Sequence, residues 1–439
     1  MSREPKRLGA LGTVITVLVI LGILAAGLNL FAASQDSRLT EIANQQAARK
    51  QALAQIKAAD ILGIDPATVV VPDEVVLSGM DKFVMGVRDS SNMIWVVAID
   101  MLIIGAGGFV LSAFKQKKKS EGGVKKLKSN SSVVGILIAL LVLCMDLAIA
   151  SPVFLTVGNF QNVFQQISIN FVVAVGMTLV IISGGIDLSV GSNIALSGLL
   201  MGILMKNYNV PVFVTILSCI LFSGVIGLIN GALIAFLDLP PFIATLGMMS
   251  IVRGAAYTVT GGQPIYTFPK AFTAVSSRVN GFPLYTMLIL ITVFVLGWYI
   301  LRYTRVGRFT YAIGGNENCA KLSGINLKKV KCFVYAMSGL CCGVAALLLS
   351  ARLDSALPTN AEGQEMDAIA AVVIGGTSMS GGEGSMIGTL IGILIIGIIS
   401  NGLNLLGVQQ GPQKMVKGLI IVVAVIIDVI RRRAAQSSK

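Results

Sequence analysis

The sequence predicts an all-α polytopic membrane protein with about twelve spans, and three observations predict it. Of its 439 residues, 55% are hydrophobic and 13% charged, and the chain breaks repeatedly into apolar runs of about 20 residues, the length that crosses a bilayer as a helix. Those runs are continuous rather than alternating and rich in Gly and Met, which suits packed membrane helices and argues against lipid-facing strands. The basic residues behind the net charge of +13 are clustered: Arg3, Lys6 and Arg7, seven in 115–128, seven in 302–331, then Arg431, Arg432, Arg433 and Lys439. The positive-inside rule makes these four segments cytoplasmic. The charge is therefore read as topology, and nucleic acid is not expected as a partner.

In chain order, residues 1–33 form a transmembrane anchor. Its apolar stretch, about 8–33, follows SREPKR and exceeds the 7 to 15 residues of a signal-peptide core, although FAAS at 31–34 is a conceivable cleavage site. Residues 34–92 are an extracytoplasmic helical insert, since 36–62 lack Gly and Pro and favour helix until Asp65 and Pro66 end it. A second span, 93–114, carries Asp100, and 115–130 is a Lys-rich cytoplasmic linker beside anionic membrane lipid. The core, 131–439, holds ten crossings near 131–150, 166–183, 192–206, 210–237, 242–262, 284–301, 331–350, 366–382, 385–407 and 413–430. Starting inside at the linker, six crossings return the chain to the basic loop at 302–330, and four more end it inside.

Several chemistries are excluded early. There is no histidine, which removes His-based acid–base catalysis and His metal sites. The six cysteines (Cys144, Cys219, Cys319, Cys332, Cys341, Cys342) show no disulfide or zinc spacing. No phosphate-binding G-x-x-x-x-G-K-[ST] occurs, so no nucleotide cofactor and no metal is expected in this chain, and it is not expected to be an enzyme. Arg253 is the cation most nearly buried in membrane. Asp146, Asp367 and Asp428 lie near span ends and form no carboxylate relay.

The most informative stretch is SGGIDLSVGSN, 183–193. Two adjacent glycines break a helix, and broken backbone at membrane depth survives only where protein or water satisfies it. The break recurs at an offset of 191: Gly184, Gly185, Ser189 and Gly191 meet Gly375, Gly376, Ser380 and Gly382. Asn230-Gly231 recurs as Asn401-Gly402. Both turns fall at one membrane face, which predicts a parallel internal repeat of the kind transporters use. Asp187 either caps the joint through hydrogen bonds or touches solute. The second copy has Ser378 in its place, so the recurring feature is the break.

In the loop 302–331, Gly314-Gly315-Asn316 reads as a turn and ENCAKLSGI as a short helix stopped at Gly324, suited to docking another protein. Together with ISGGIDLSVGS (182–192), GLINGALIAFLDLPPFIATLGMMSIVRG (227–254), GGQPIY (261–266), AIGGNENCAKLSGI (312–325), MDAIAAVVIGGTSMSGGEGSMIGTLIG (366–392) and NGLNLLGV (401–408), this resembles the ribose/galactose permease family, the membrane subunits of binding-protein-dependent ABC importers. The resemblance covers about 131–431. It implies a ten-span permease core, here with two extra N-terminal spans, in the bacterial inner membrane. It also implies a second permease copy, ABC ATPase subunits that bind the ATP, and a periplasmic-type sugar-binding protein. The candidate path and helix-break residues are Gly184, Gly185, Asp187, Ser189, Asn230, Thr245, Gly375, Gly376, Ser380 and Asn401. Those of the ATPase coupling loop are Gly315, Asn316, Glu317, Ala320 and Gly324. Against the importer pattern E-A-A-x-x-x-G the chain keeps Ala320 and Gly324 but has Asn318 first, with Glu317 one place earlier. GGQPIY and NGLNLLGV lie nearer the ribose branch than the galactose branch. The other function classes are an ion-coupled carrier or channel and an intramembrane aspartyl protease using Asp146 and Asp187, whose Gly-x-Gly-Asp arrangement is absent.

Overall fold

A computed structural model describes residues 130–278 and 282–436, with side chains from 140 to 426, and the isolated positions 44, 45, 48, 49 and 51, all helical. The predicted anchor, second span and linker, and the rest of the insert, lie outside the described residues. The described chain belongs to two units, a large one comprising 130–402 and 416–436 and a second one that includes 403–415. Within the second, Gln413 Nε2 donates to Asn404 Oδ1 (2.8 Å) and to the Val408 carbonyl (2.7 Å), across a chain reversal at Gly407, φ +72°.

The helices, in order, are α1 (Asn130–Ala150), α2 (Val157–Ile182), α3 (Val190–Lys206), α4 (Val212–Phe236), α5 (Pro241–Thr260), the short α6 (Lys270–Thr273), α7 (Leu284–Tyr303), α8 (Arg305–Gly315), α9 (Glu317–Leu322), α10 (Leu327–Leu353), α11 (Gln364–Ile374), α12 (Met386–Leu405) and α13 (Gln410–Gln436). Their ends follow local chemistry. Thr156 caps α2 by accepting from Asn159 N–H and Asn326 caps α10 by accepting from Lys329 N–H. At α5, proline stands at the first turn and Gly261, φ +60°, at the stop.

Six helices among the described residues are long and apolar enough to cross a membrane: α2, α4, α5, α7, α10 and α12. Their burial separates them. The apolar window of α2 is 89% buried and that of α7 only 17%, so α2 is the core of the bundle while α7 turns Leu288 and Ile291 outward, to lipid or to another chain. Helix α10 packs along α4, α2 and α3. Its crossing with α4 is backbone on backbone: a Cβ on Gly227 would lie 2.2 Å from the Tyr335 carbonyl, and one on Gly339 would lie 2.4 Å from that of Ser223. Small residues at membrane helix crossings permit this approach.

A two-residue antiparallel ribbon joins β1 (Ile265–Tyr266) to β2 (Ser355–Ala356). Thr267 N–H donates to the Asp354 carbonyl (3.0 Å), Phe268 N–H to Asp354 Oδ1 (2.7 Å) and Lys206 Nζ to the Tyr266 carbonyl (2.7 Å). The end of α3, the segment after α5 and the end of α10 are thereby fastened together.

Two expectations need correction. The stretch 366–382 is not one continuous crossing: α11 has 11 residues, about 16 Å at 1.5 Å per residue, half of a hydrocarbon core of about 30 Å. The chain reaches α11 by dipping inward. Residues 357–363 leave the ribbon and descend until the Ala361 carbonyl lies 2.5 Å from where a Gly191 Cβ would stand, 15 residues or about 22 Å along α3 from Lys206. In addition, Gly314-Gly315 is not a turn but the last two residues of α8. The reversal falls one place later, at the extended Asn316.

Candidate functional site

The first glycine break is a side-chain network. Gly184, φ +84°, follows the end of α2, where its N–H donates to the Ile181 carbonyl (2.9 Å) and that of Gly185 to Val180 (3.0 Å). This is a paired helix stop that needs a left-handed residue. Asp187 then folds its Oδ1 back onto the N–H (3.0 Å) and hydroxyl (2.7 Å) of Ser189, just before α3, and its Oδ2 accepts from Ser338 Oγ of α10 (2.9 Å). Asn230 Nδ2 donates to Ser189 Oγ (2.8 Å), while Tyr335 Oη (3.3 Å) and Thr245 Oγ1 (3.2 Å) both donate to the Ile186 carbonyl. Five of the proposed path residues, Asp187, Ser189, Asn230, Thr245 and Gly185, are thus brought together and buried, Asp187 at 2% exposure and Asn230 at 0%. They hold one another, and no face of Asp187 is open to a passing solute.

The second break is built from backbone. Gly376, φ +89°, donates its N–H to Val373 (2.8 Å) and Thr377 to Val372 (3.2 Å), the same pair of bonds that Gly184 and Gly185 make. Structural equivalence therefore pairs Gly184 with Gly376, one residue off the sequence offset of 191, because what recurs is the left-handed position. In copy one it is the first glycine of the pair, in copy two the second. Asp187 then stands opposite Met379. This loop, 375–385, is four residues longer than 183–189 and holds three further glycines at positive φ: Gly381, Gly382 and Gly384. Ser380 is exposed. Asn401 lies apart, in a reciprocal amide pair with Asn159 (2.8 and 3.1 Å).

The two breaks touch each other and the basic loop. Gly382 N–H donates to the Ile182 carbonyl (2.9 Å), and a Cβ on Gly381 would lie 2.8 Å from Gly184 N and from Gly314 Cα. On Gly314 a Cβ would lie 1.9 Å from the Ile182 carbonyl and 2.5 Å from Gly382 N, so α8 meets both breaks through bare backbone. Tyr311 Oη of the same helix donates to the Gly384 carbonyl (2.9 Å).

In the basic loop, Asn316 caps α9 by accepting from Cys319 N–H (2.9 Å), Ala320 is buried, and Gly324, φ +79°, terminates the helix. Glu317 pairs with Lys331 of α10 at 2.6 Å. A Cβ on Gly315 would meet nothing, but its backbone stands close to the second break: a Cβ on Gly382 would lie 2.7 Å from Gly315 Cα. Sequence reasoning missed the residues that join these parts. Lys331, Tyr335 and Ser338 recur at i, i+4 and i+7, one face of α10, and hold Glu317, Ile186 and Asp187 respectively. That spacing was a readable signal. Leu322, on α9, is 89% exposed, an apolar side chain offered to solvent beside the basic loop. Between α9, α10 and the first break lies a cleft of about 310 Å³ lined by Gly184, Gly185, Asp238, Glu317, Lys331 and Tyr335. No cluster of three metal-binding side chains occurs among the described residues. The arrangement joins the basic loop to both breaks, with the Asp187 carboxylate buried against the hydroxyls of Ser189 and Ser338.

The family described as branched-chain amino acid transport system / permease component matches residues 159–425. The ribose import permease protein of Escherichia coli (strain K12) is 44% identical over 302 residues, covering 66% of this chain and 92% of that protein. Its counterpart in Bacillus subtilis (strain 168) is 43% identical, covering 69% and 94%. The galactose/methyl galactoside import permease protein of Haemophilus influenzae is 35% identical, covering 69% and 94%. No solved structure matches. With a match over more than half its length and relatives covered almost whole, the chain belongs to the transport-system permease-component family that includes these sugar importers.

Proposed function

We propose that this chain is the translocation subunit of an ATP-driven importer of a ribose-type monosaccharide in the bacterial inner membrane. Two copies enclose the path, a soluble sugar-binding protein delivers substrate from outside, and separate ATPase subunits bind ATP and dock on α8 and α9 at the cytoplasmic face. The chain itself holds no cofactor. It crosses the membrane about twelve times, its core being a parallel repeat whose halves meet at the two glycine breaks, and residues 34–92 stand outside as an insert.

One observation carries the mechanism. The basic-loop helices reach both breaks, through Gly314 against Ile182 and Gly382 and through Glu317, Lys331 and the Tyr335/Ser338 face of α10, while Leu322 remains exposed. A push on α8 and α9 by an ATPase therefore arrives at both joints, where left-handed glycines absorb rotation between helix segments. The ribose assignment is supported by higher identity to ribose import permeases than to the galactose one.

Reconstitution tests it. Uptake of labelled ribose into proteoliposomes should require this chain, the ATPase, ATP and the binding protein together. Uptake driven by a proton or sodium gradient in this chain alone would show an ion-coupled carrier instead. Leu322→Asp should leave the permease folded and lower binding-protein-stimulated ATP hydrolysis at least tenfold; unchanged coupling would remove α9 from the docking surface.

A further inference from the structure

Arg253 is placed where a cation is costly. It lies on α5, seven residues or about 10 Å before the ribbon end of that helix. Its Nη1 donates to the carbonyls of Pro358 (2.5 Å) and Asn360 (3.0 Å), which stabilises the dipping segment 357–363. Both bonds leave from the same nitrogen. Among the described residues no acceptor meets Nε or Nη2, and no carboxylate comes within ion-pair distance; the acidic groups whose field reaches Arg253 are Glu362 and Glu365.

The surroundings are equally unsatisfied. Gln364, first residue of α11, has a buried Oε1 with no donor. Thr359 and Glu362 on the dipping segment are exposed, as is Tyr257, one turn along α5 from Arg253, at 44%. Exposed polar groups at this depth are incompatible with hydrocarbon. Buried acceptors without partners mark places where water or ligand completes the hydrogen bonding.

We propose that the face formed by α5 around Arg253 and the dipping segment 357–363 lines the water-filled sugar path, with Arg253 and Glu362 as its hydroxyl-binding groups. The proposal rests on the reading of this chain as a monosaccharide permease and places that path beside the first glycine break, at Gly191, rather than through the buried Asp187 network. A sugar hydroxyl both donates and accepts, so it answers the free donors of Arg253 and the exposed carboxylate of Glu362 together, and the Tyr257 ring offers an apolar face to the sugar's C–H groups.

Cysteine labelling in the assembled, membrane-embedded transporter tests this, with Cys319→Ser as the parent. Thr359→Cys and Glu362→Cys should react with a charged, membrane-impermeant thiosulfonate, and ribose supplied with the binding protein should slow that reaction severalfold. Leu288→Cys, on the apolar surface of α7, should stay unreactive. Arg253→Gln should lower ribose uptake at least tenfold with stimulated ATP hydrolysis retained. Inertness of both cysteines toward the charged reagent, together with reaction toward a lipid-soluble maleimide or crosslinking between two copies, would overturn the proposal by showing a lipid-facing or sealed face. Labelling without protection by ribose would overturn the sugar contact. If the parent complex takes up no ribose while Glu362→Cys still reacts, the permease reading fails and the water-facing assignment stands.

Discussion

The two glycine breaks start alike and are held differently. Each begins with a left-handed glycine closing the same two backbone bonds, at Gly184 and at Gly376. The first is then held by side chains from α4, α5 and α10 converging on Asp187, Ser189 and Ile186. The second is longer, has Ser378 N–H on the Glu383 carbonyl (3.0 Å) and Gly381 N–H on Ser378 (3.0 Å), and rests against glycine backbone at Gly184 and Gly314. A network of buried hydrogen bonds fixes one geometry, because each member left unpaired costs about 1–3 kcal/mol. A run of left-handed glycines resists rearrangement much less. The first break is therefore the stiff joint and the second the compliant one, and α8, which contacts both, can move them together.

Breaking the shared contact should have the largest effect. Gly314→Val places a side chain where two backbone atoms already stand, and ATP-driven uptake should fall more than a hundredfold with the protein still in the membrane, as immunoblotting checks; normal uptake would separate α8 from the joints. Asp187→Leu leaves two hydroxyls and an N–H unpaired and should cost about 3 kcal/mol, read as a lower unfolding temperature in detergent. Asp187→Asn, which keeps one oxygen for the two Ser189 donors but turns an NH2 towards Ser338, should cost about half of that, and equal losses would mean that the charge itself holds the joint. At the second break Gly381→Ala forces an L-residue into the left-handed region, costing about 1–2 kcal/mol besides the contact with Gly184, so it should slow uptake more than it lowers stability. Ser338→Ala should cost about 1 kcal/mol. Ser380→Ala, on an exposed hydroxyl of the compliant joint, should change stability by less than about 0.5 kcal/mol; a larger loss would show that the Ser380 hydroxyl itself holds this break alongside Tyr311.

Much of this was legible beforehand. Runs of apolar residues located the six helices that are long and apolar enough to cross a membrane among the described residues, several to within a few residues, because hydropathy and span length share one cause. The adjacent glycines and the positions of Asp187, Ser189 and Asn230 in their motifs led to the joint. The dip at 357–363 was not found. MDAIAAVVIGGTSMSGG is apolar enough over 17 residues to imitate a full span, and hydropathy does not register that the helix stops at Ile374. The unread clue was Arg253, a cation inside a span that required acceptors from elsewhere. The one-residue shift of the repeat was hidden for a different reason: matching letters aligns glycine pairs, whereas the backbone aligns the single glycine that turns left-handed.

The ribbon between Ile265–Tyr266 and Ser355–Ala356 has a mechanical consequence. With Asp354 and Lys206 it clamps one end of α10, while towards the other end the same helix is pressed against α4 and tied to the first break and α9 through Ser338, Tyr335 and Lys331. Helix α10 has 27 residues, a rod of about 40 Å, so the ribbon and the basic loop are the two ends of one stiff element. A load applied at either end of such a strut is carried to the other without bending, which makes the ribbon and the basic loop mechanically one piece.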